Sequence, residues 1–159
     1  GAGGDPETAV ASLETAFELT QAVGRAHDAA DWLGGRAMVH RILGDPDRGI
    51  PPARASIAAW HELGNLGRLP LAFKVLAALE LQAGRPRRAV RLEAAARKLS
   101  EDVGGDLYQV FGQLGDAIEE ARPQLEPEEH ARAVEEGRTL DMDDQVRFAL
   151  ETMESGRAM

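Results

Sequence analysis

The sequence predicts an all-α domain built from αα-hairpins that recur about every forty residues. Three observations carry that expectation. First, Gly4-Asp5-Pro6 returns as Gly44-Asp45-Pro46 and as Gly84-Arg85-Pro86. In the same register Val10 returns as Ile50 and Val90, Val23-Gly24 as Leu63-Gly64 and Val103-Gly104, and Ala37 as Ala77 and Ala117. Second, aromatic residues make up 4% of a chain that is 43% hydrophobic. Its core is therefore mostly Ala, Leu and Val, which suits close-packed helices better than a sheet rich in β-branched and aromatic residues. Third, apolar residues follow the i, i+3, i+4, i+7 rule within the stretches those marks delimit.

Taken in chain order, each mark has a physical reason. A Gly before Asp-Pro can end one helix in the left-handed conformation. The Asp can then cap the next helix, and Pro fits its first position, where the amide has no helical partner. The first helix, over 7–22, turns Val10, Leu13, Phe17 and Thr20 inward and is expected to stop at Gly24. The second starts near His27-Asp28 as a capping pair and carries Ala30, Leu33, Ala37 and His40 on its inner stripe, with His40 packed and hydrogen-bonded.

Pro51-Pro52 interrupts the second repeat, because an interior proline removes a donor and clashes with the preceding turn. A short turn at 46–49 and a helix from Pro51 are expected there, over 52–63. After a loop at Asn65 to Arg68, a helix from Leu69 carries Phe73, Leu76 and Ala77. The next helix spans 87–103 and ends at Gly104. Leu107, Val110, Phe111, Leu114, Ala117, Ile118 and Ala121 then mark a four-turn helix that Pro123 ends. The repeats thus occupy 1–122.

Residues 123–159 read as a two-helix cap on the same domain. One short helix spans 127–136, closed by Gly137. The other runs from about Met142 to Met153, capped by Asp141, with Val146, Ala149, Leu150 and Met153 inward. Such a cap covers the apolar end of a stacked array.

The array looks tetratricopeptide-like, an αα-hairpin solenoid with repeats longer than the usual ~34 residues. It resembles the C-terminal helical region of bacterial (actinobacterial-type) signal-transduction ATPases and LuxR-family transcriptional regulators. Two stretches carry that likeness: Gln82-Ala-Gly-Arg-Pro-Arg-Arg-Ala-Val-Arg-Leu-Glu-Ala-Ala-Ala, and Ala133-Val-Glu-Glu-Gly-Arg-Thr-Leu-Asp-Met-Asp-Asp-Gln-Val-Arg-Phe-Ala-Leu. The resemblance implies a helical region that senses a protein partner or small ligand and relays this to ATPase and DNA-binding domains of a larger parent chain. This sequence holds neither a G-x-x-x-x-G-K-[ST] phosphate loop nor an evident DNA-reading module.

Charge and chemistry point to binding rather than catalysis. The net charge of −9 is uneven: residues 1–100 carry 13 basic and 11 acidic side chains, and residues 101–159 carry 5 and 16. The basic run Arg85 to Lys98 lacks interleaved aromatics for stacking bases, so it reads as a solvated helix face and no direct nucleic-acid partner is expected. No apolar run approaches a membrane span. The absence of cysteine excludes thiolate chemistry and disulfides and fits a cytoplasmic protein. The four histidines, His27, His40, His61 and His130, make no i, i+4 pair, and His61-Glu62 lacks the second histidine of a metalloprotease helix. The acidic pairs Glu119-Glu120, Glu128-Glu129, Glu135-Glu136 and Asp143-Asp144 read as solvated faces and helix N-terminal charges.

No enzyme activity, metal or cofactor is therefore expected. The functional surface is expected to be the concave groove, with Asp31, Met38 and Arg41 from one hairpin and Lys74, Ala78 and Gln82 from the next. Its occupant would be a protein or peptide, with homo-oligomerisation, a free-standing adaptor role or small-ligand sensing as alternatives. Arg36, whose counterparts are Leu76 and Asp116, is expected to bridge to a neighbouring helix.

Overall fold

The computed structural model describes residues 5–104 and 114–151, which are all helix and turn. In chain order they form α1 (Pro6–Ile42), α2 (Pro46–Glu62), a 3-10 turn (Leu66–Arg68), α3 (Leu69–Gln82) and α4 (Pro86–Val103). The short α5 (Ala117–Glu120), a second 3-10 turn (Arg122–Gln124), α6 (Pro127–Thr139) and α7 (Met142–Leu150) follow. The principal packed pairs are α1 with α2, α2 with α3 and α3 with α4, while α6 lies on α4 and α7 on α2 and α4.

The helix ends follow from local chemistry. Proline occupies the first position of α1, α2 and α4, where its missing amide has no helical partner. At the ends of α1, α2 and α3 the residue after the glycine donates five residues back: Asp45 to His40, Asn65 to Trp60, and Arg85 to Glu80. Gly44, Gly64 and Gly84 each hold φ between +69° and +85°. That pairing satisfies a terminal carbonyl and needs a residue that enters the left-handed region freely. Asp5 caps α1 by accepting from the Glu7 amide at 3.1 Å. Asp45 does not cap α2 in this way, and its carboxylate instead meets Arg48 at 3.4 Å.

Four elements differ from the sequence expectation. α1 runs unbroken through Gly24 and through His27-Asp28, where a turn and a cap were expected. A glycine costs a helix interior only about 1 kcal/mol, too little by itself to stop α1 at Gly24. α2 begins at Pro46 and continues through Pro51 and Pro52. Its first turn is pinned by Gly49, whose added Cβ would lie 2.8 Å from Leu79 Cδ2 and 3.1 Å from the Ala37 carbonyl. That close approach, with Ile50 buried beside it, offsets the donors the two prolines remove.

The helix expected to reach Ala121 is interrupted at Gly115, which has φ +75°. Asp116 then caps α5 by accepting from the Ile118 amide at 3.0 Å. Leu107, Val110 and Phe111 lie outside the described residues. Finally, Gly137 does not close α6. It is buried two residues before the last helical residue, Thr139, and an added Cβ would lie 2.4 Å from the Arg91 carbonyl and 2.7 Å from Ala94 Cβ. Glycine there sets how closely α6 lies on α4.

The core is centred on α3, whose Leu69, Phe73, Leu76 and Leu79 are fully buried against Ile57 of α2 and Leu92 of α4. The C-terminal helices are tied on by polar contacts as well as packing. Arg88 of α4 donates to the Phe148, Ala149 and Glu151 carbonyls at 3.0, 3.3 and 2.8 Å, satisfying the end of α7. Gln145 donates to the Gly137 carbonyl at 2.6 Å, and Asp141 caps α7 through the Asp144 amide at 2.9 Å. Val146 and Ala149 are buried, whereas Leu150 keeps 37% of its surface exposed. Met153 lies outside the described residues.

Candidate functional site

A glycine pair borders a cleft among the described residues. Gly34 and Gly35 of α1, without side chains, border a cavity of about 510 Å³ between α1, α2 and α3, and a Cβ at Gly34 would lie 3.6 Å from Ser56 Oγ of α2. Ala53, Ser56 and Trp60 of α2 and Leu71, Ala72 and Val75 of α3 line it, with Met38 and Ile42 on α1 and Leu114 nearby. The wall is mostly apolar. Such a volume matches the clefts that take a small molecule or one or two side chains of a peptide.

The polar groups sit at the mouth and are mutually engaged. Arg68, in the turn before α3, pairs with Asp31 of α1. Its guanidinium also lies 4.8 Å from the Trp60 ring centroid. His27 meets the same ring edge-on at 4.6 Å, and Asn65 Nδ2 is 3.4 Å from His27 Nε2. Trp60, which lines the cleft, is thus met by His27 in a near-perpendicular contact and by Arg68 over its ring face. At the other end Gln82 donates to the Arg41 carbonyl at 3.1 Å, tying α3 to the last turn of α1.

Of the six expected groove residues, Asp31, Met38 and Arg41 line the cleft. Gln82 is exposed at its α1–α3 end, and Ala78 is half-buried on α3 outside the lining. Lys74 lies elsewhere. It is buried, donates to Glu93 at 2.6 Å and to the Gly115 carbonyl at 2.8 Å, while Glu93 also accepts from the Ala117 amide at 3.3 Å. Lys74 and Glu93 together satisfy backbone groups freed where the chain breaks before α5. On α3 the cleft is lined by Leu71, Ala72 and Val75, with Arg68 from the turn before it, and not by Lys74, Ala78 or Gln82. Gly34-Gly35, an adjacent glycine pair inside a helical pattern, was the signal that marks the opening.

The remaining candidates are structural. His130 is buried with Nε2 2.7 Å from the Ile118 carbonyl, and His61 meets Asp143 at 3.0 Å. His40 is only half-buried on α1. The Arg36 guanidinium lies 5.3 Å from the Trp32 ring of its own helix, in place of the expected bridge to a neighbour. Glu80, fully buried, receives Arg85 at 2.5 Å, Arg88 at 3.2 Å and Arg54 at 3.6 Å. Burial, then the nearby Arg88 charge, lowers the Arg54 pKa from its ordinary value. Among the described residues no group of three His, Asp or Glu side chains is placed to hold a metal ion, and no helix is long and apolar enough to cross a membrane.

Fold and cleft define an all-helical chain with an open, mainly apolar groove on one side. No protein-family model, curated protein or solved structure matches the chain.

Proposed function

We propose that this chain is a binding module whose α1–α3 cleft receives an apolar side chain of a peptide or helix from a protein partner, with no catalysis of its own. The open cleft carries the reading. Met38 and Leu71 offer partly exposed apolar surface beside buried Trp60 and Val75, and the Asp31–Arg68 pair at the mouth offers both signs of charge to a bound backbone or polar flank. Aromatic residues and arginine in a concave site are the usual anchors of such recognition.

The architecture is read as a tetratricopeptide-like solenoid of about forty-residue hairpins with a two-helix cap. The left-handed glycines at 44, 64, 84 and 104 and the paired starts at Pro46 and Pro86 support that register. The resemblance to bacterial signal-transduction ATPases and LuxR-family regulators supplies the setting: a cytoplasmic sensor or interaction region coupled to other domains of a parent chain.

The test uses Gly35, which lines the cleft yet has no neighbour within 4 Å of an added Cβ. A Cβ at Gly35 starts in open space, and Gly35→Leu is expected to occupy part of the cleft. Peptides selected on the native protein from a displayed library are expected to carry a shared aromatic or aliphatic anchor and to lose at least tenfold in affinity for the variant. Peptides that bind both proteins equally would remove the cleft from the account. Small apolar ligands form the second reading, favoured by the cleft volume. Saturable binding of such a compound, lost in Gly35→Leu without any peptide hits, would select it.

A further inference from the structure

The unbroken α1 leaves two apolar faces uncovered that the rest of the chain would bury. The forty-residue shift maps the first half of α1 onto α2 and its second half onto α3. In α2, Ile50 and Ile57 are at most 4% exposed, while their counterparts Val10 and Phe17 are 54% and 63% exposed. In α3, Ala72 and Leu79 are at most 7% exposed, while their counterparts Trp32 and Val39 are 61% and 53% exposed. The first set is the kind of face α2 lays on α3, and the second is the kind of face α3 offers to α2. One continuous helix carries its two halves end to end, so neither can cover the other within one chain.

We propose that a second copy of this chain covers both faces, through antiparallel pairing of two α1 helices about a two-fold axis near Arg25-Ala26. The first half of each helix then lies on the second half of the other, as α2 lies on α3. An antiparallel pair related by a two-fold is self-complementary, and exchange of identical elements is a low-cost route to a dimer.

Charge selects that occupant. The first half of α1 carries Glu7, Glu14 and Glu18 and no basic residue, whereas the second carries Arg25, Arg36 and Arg41 against Asp28 and Asp31, and Asp31 is engaged by Arg68. The α2–α3 contact includes Arg54 with the buried Glu80 at 3.6 Å. Forty residues earlier the same two places hold Glu14 and His40, so hydrogen-bonding complementarity is retained with the roles reversed. The pairing also brings Glu14 and Glu18 of one copy towards Arg36 of the other. A helix of 37 residues is roughly 55 Å long at 1.5 Å per residue and, with a contact width of ~10 Å, covers on the order of 1,100 Å² over both copies. That clears the ~1,000 Å² expected of a specific interface.

The inference rests on the repeat register and not on the cleft's ligand. Peptide titration reads the cleft and light scattering reads the dimer, so either reading can fail alone. Size-exclusion chromatography with multi-angle light scattering on the 159-residue chain is expected to give twice the chain mass. Phe17→Glu, at a position exposed in the single chain, is expected to give the single-chain mass with unchanged helical circular dichroism.

The chain has no cysteine, so Ala9→Cys with Val39→Cys reports geometry cleanly. These positions correspond to Gly49 and Leu79, which are in direct contact. Oxidation is expected to give a covalent dimer on a non-reducing gel. A monomer at all concentrations, or a disulfide formed only within one chain, would overturn the proposal; the latter would show α1 folded back at Gly24 instead.

Discussion

Gly35 and Gly137 are both helical glycines, and the structure predicts opposite responses to the same added methyl group. At Gly35 of α1 an added Cβ meets nothing within 4 Å. Alanine there removes the intrinsic penalty of a glycine in a helix, so Gly35→Ala should stabilise the protein by about 0.8–1 kcal/mol. At Gly137 of α6 the same Cβ would lie 2.4 Å from the Arg91 carbonyl oxygen and 3.0 Å from the Ala95 amide nitrogen. Both are backbone atoms of α4, so no side-chain rotation relieves the overlap. Ordinary contact requires α6 to move outward by roughly 1 Å, and forced repacking of this kind costs about 1–3 kcal/mol, occasionally more.

The propensity gain of about 1 kcal/mol offsets part of that, leaving Gly137→Ala destabilised by up to about 2 kcal/mol. Urea unfolding followed by far-ultraviolet circular dichroism reads both variants against the native chain. With a urea slope of roughly 2 kcal/mol/M, Gly35→Ala should raise the midpoint by about 0.4–0.5 M and Gly137→Ala should lower it by up to about 1 M. Equal upward shifts in both variants would refute the packing of α6 on α4 as described.

Three further outcomes follow from single contacts. Lys74→Met leaves the buried Glu93 without its cation and should cost about 3–5 kcal/mol, whereas Lys74→Met combined with Glu93→Leu should recover a large part of the loss; unfolding midpoints check both. Arg88→Ala removes three donations to the end of α7, so amide exchange in 142–150 should speed up while α3 stays protected. The Arg138 hydrogen bond holds the Glu101 carboxyl below its usual pKa. Its stabilising contribution is therefore present above the ordinary carboxylate range and fades as pH falls through the lowered value; carboxyl-carbon NMR should show Glu101 titrating low in the native chain and normally in Arg138→Gln.

Much of the fold was legible because it rests on local chemistry. Pro6, Pro46 and Pro86 mark helix starts and Gly44 and Gly84 mark helix ends, since each needs only its own backbone geometry. The start of α3 at Leu69 and the Asp141 cap were readable for the same reason. What escaped depends on contacts between distant residues. Gly24 follows an apolar residue as Gly64 and Gly104 do, yet it stays helical, because an interior glycine costs a helix only about 1 kcal/mol. Pro51 and Pro52 read as a helix start, yet the close approach of Gly49 to Ala37 and Leu79 keeps the preceding turn helical. Gly137 looked like a helix end and is a contact point.

The groove was legible in part. Helical spacing alone placed Asp31, Met38 and Arg41 on one stripe of α1. The stripe on α3 depends on how that helix is rotated against α2 and α4, and the burial of Lys74 against Glu93 fixes the rotation. No spacing rule for α3 contains that pair, because Glu93 belongs to the next helix.

Backbone amide NMR of the native protein titrated with a selected peptide tests the binding cleft most directly. The account predicts that the largest shift changes fall on Asp31, Gly34, Gly35, Met38, Arg68 and Val75, together with the Trp60 indole, and disappear in Gly35→Leu. Changes concentrated on α6 and α7, with the cleft silent, would contradict it.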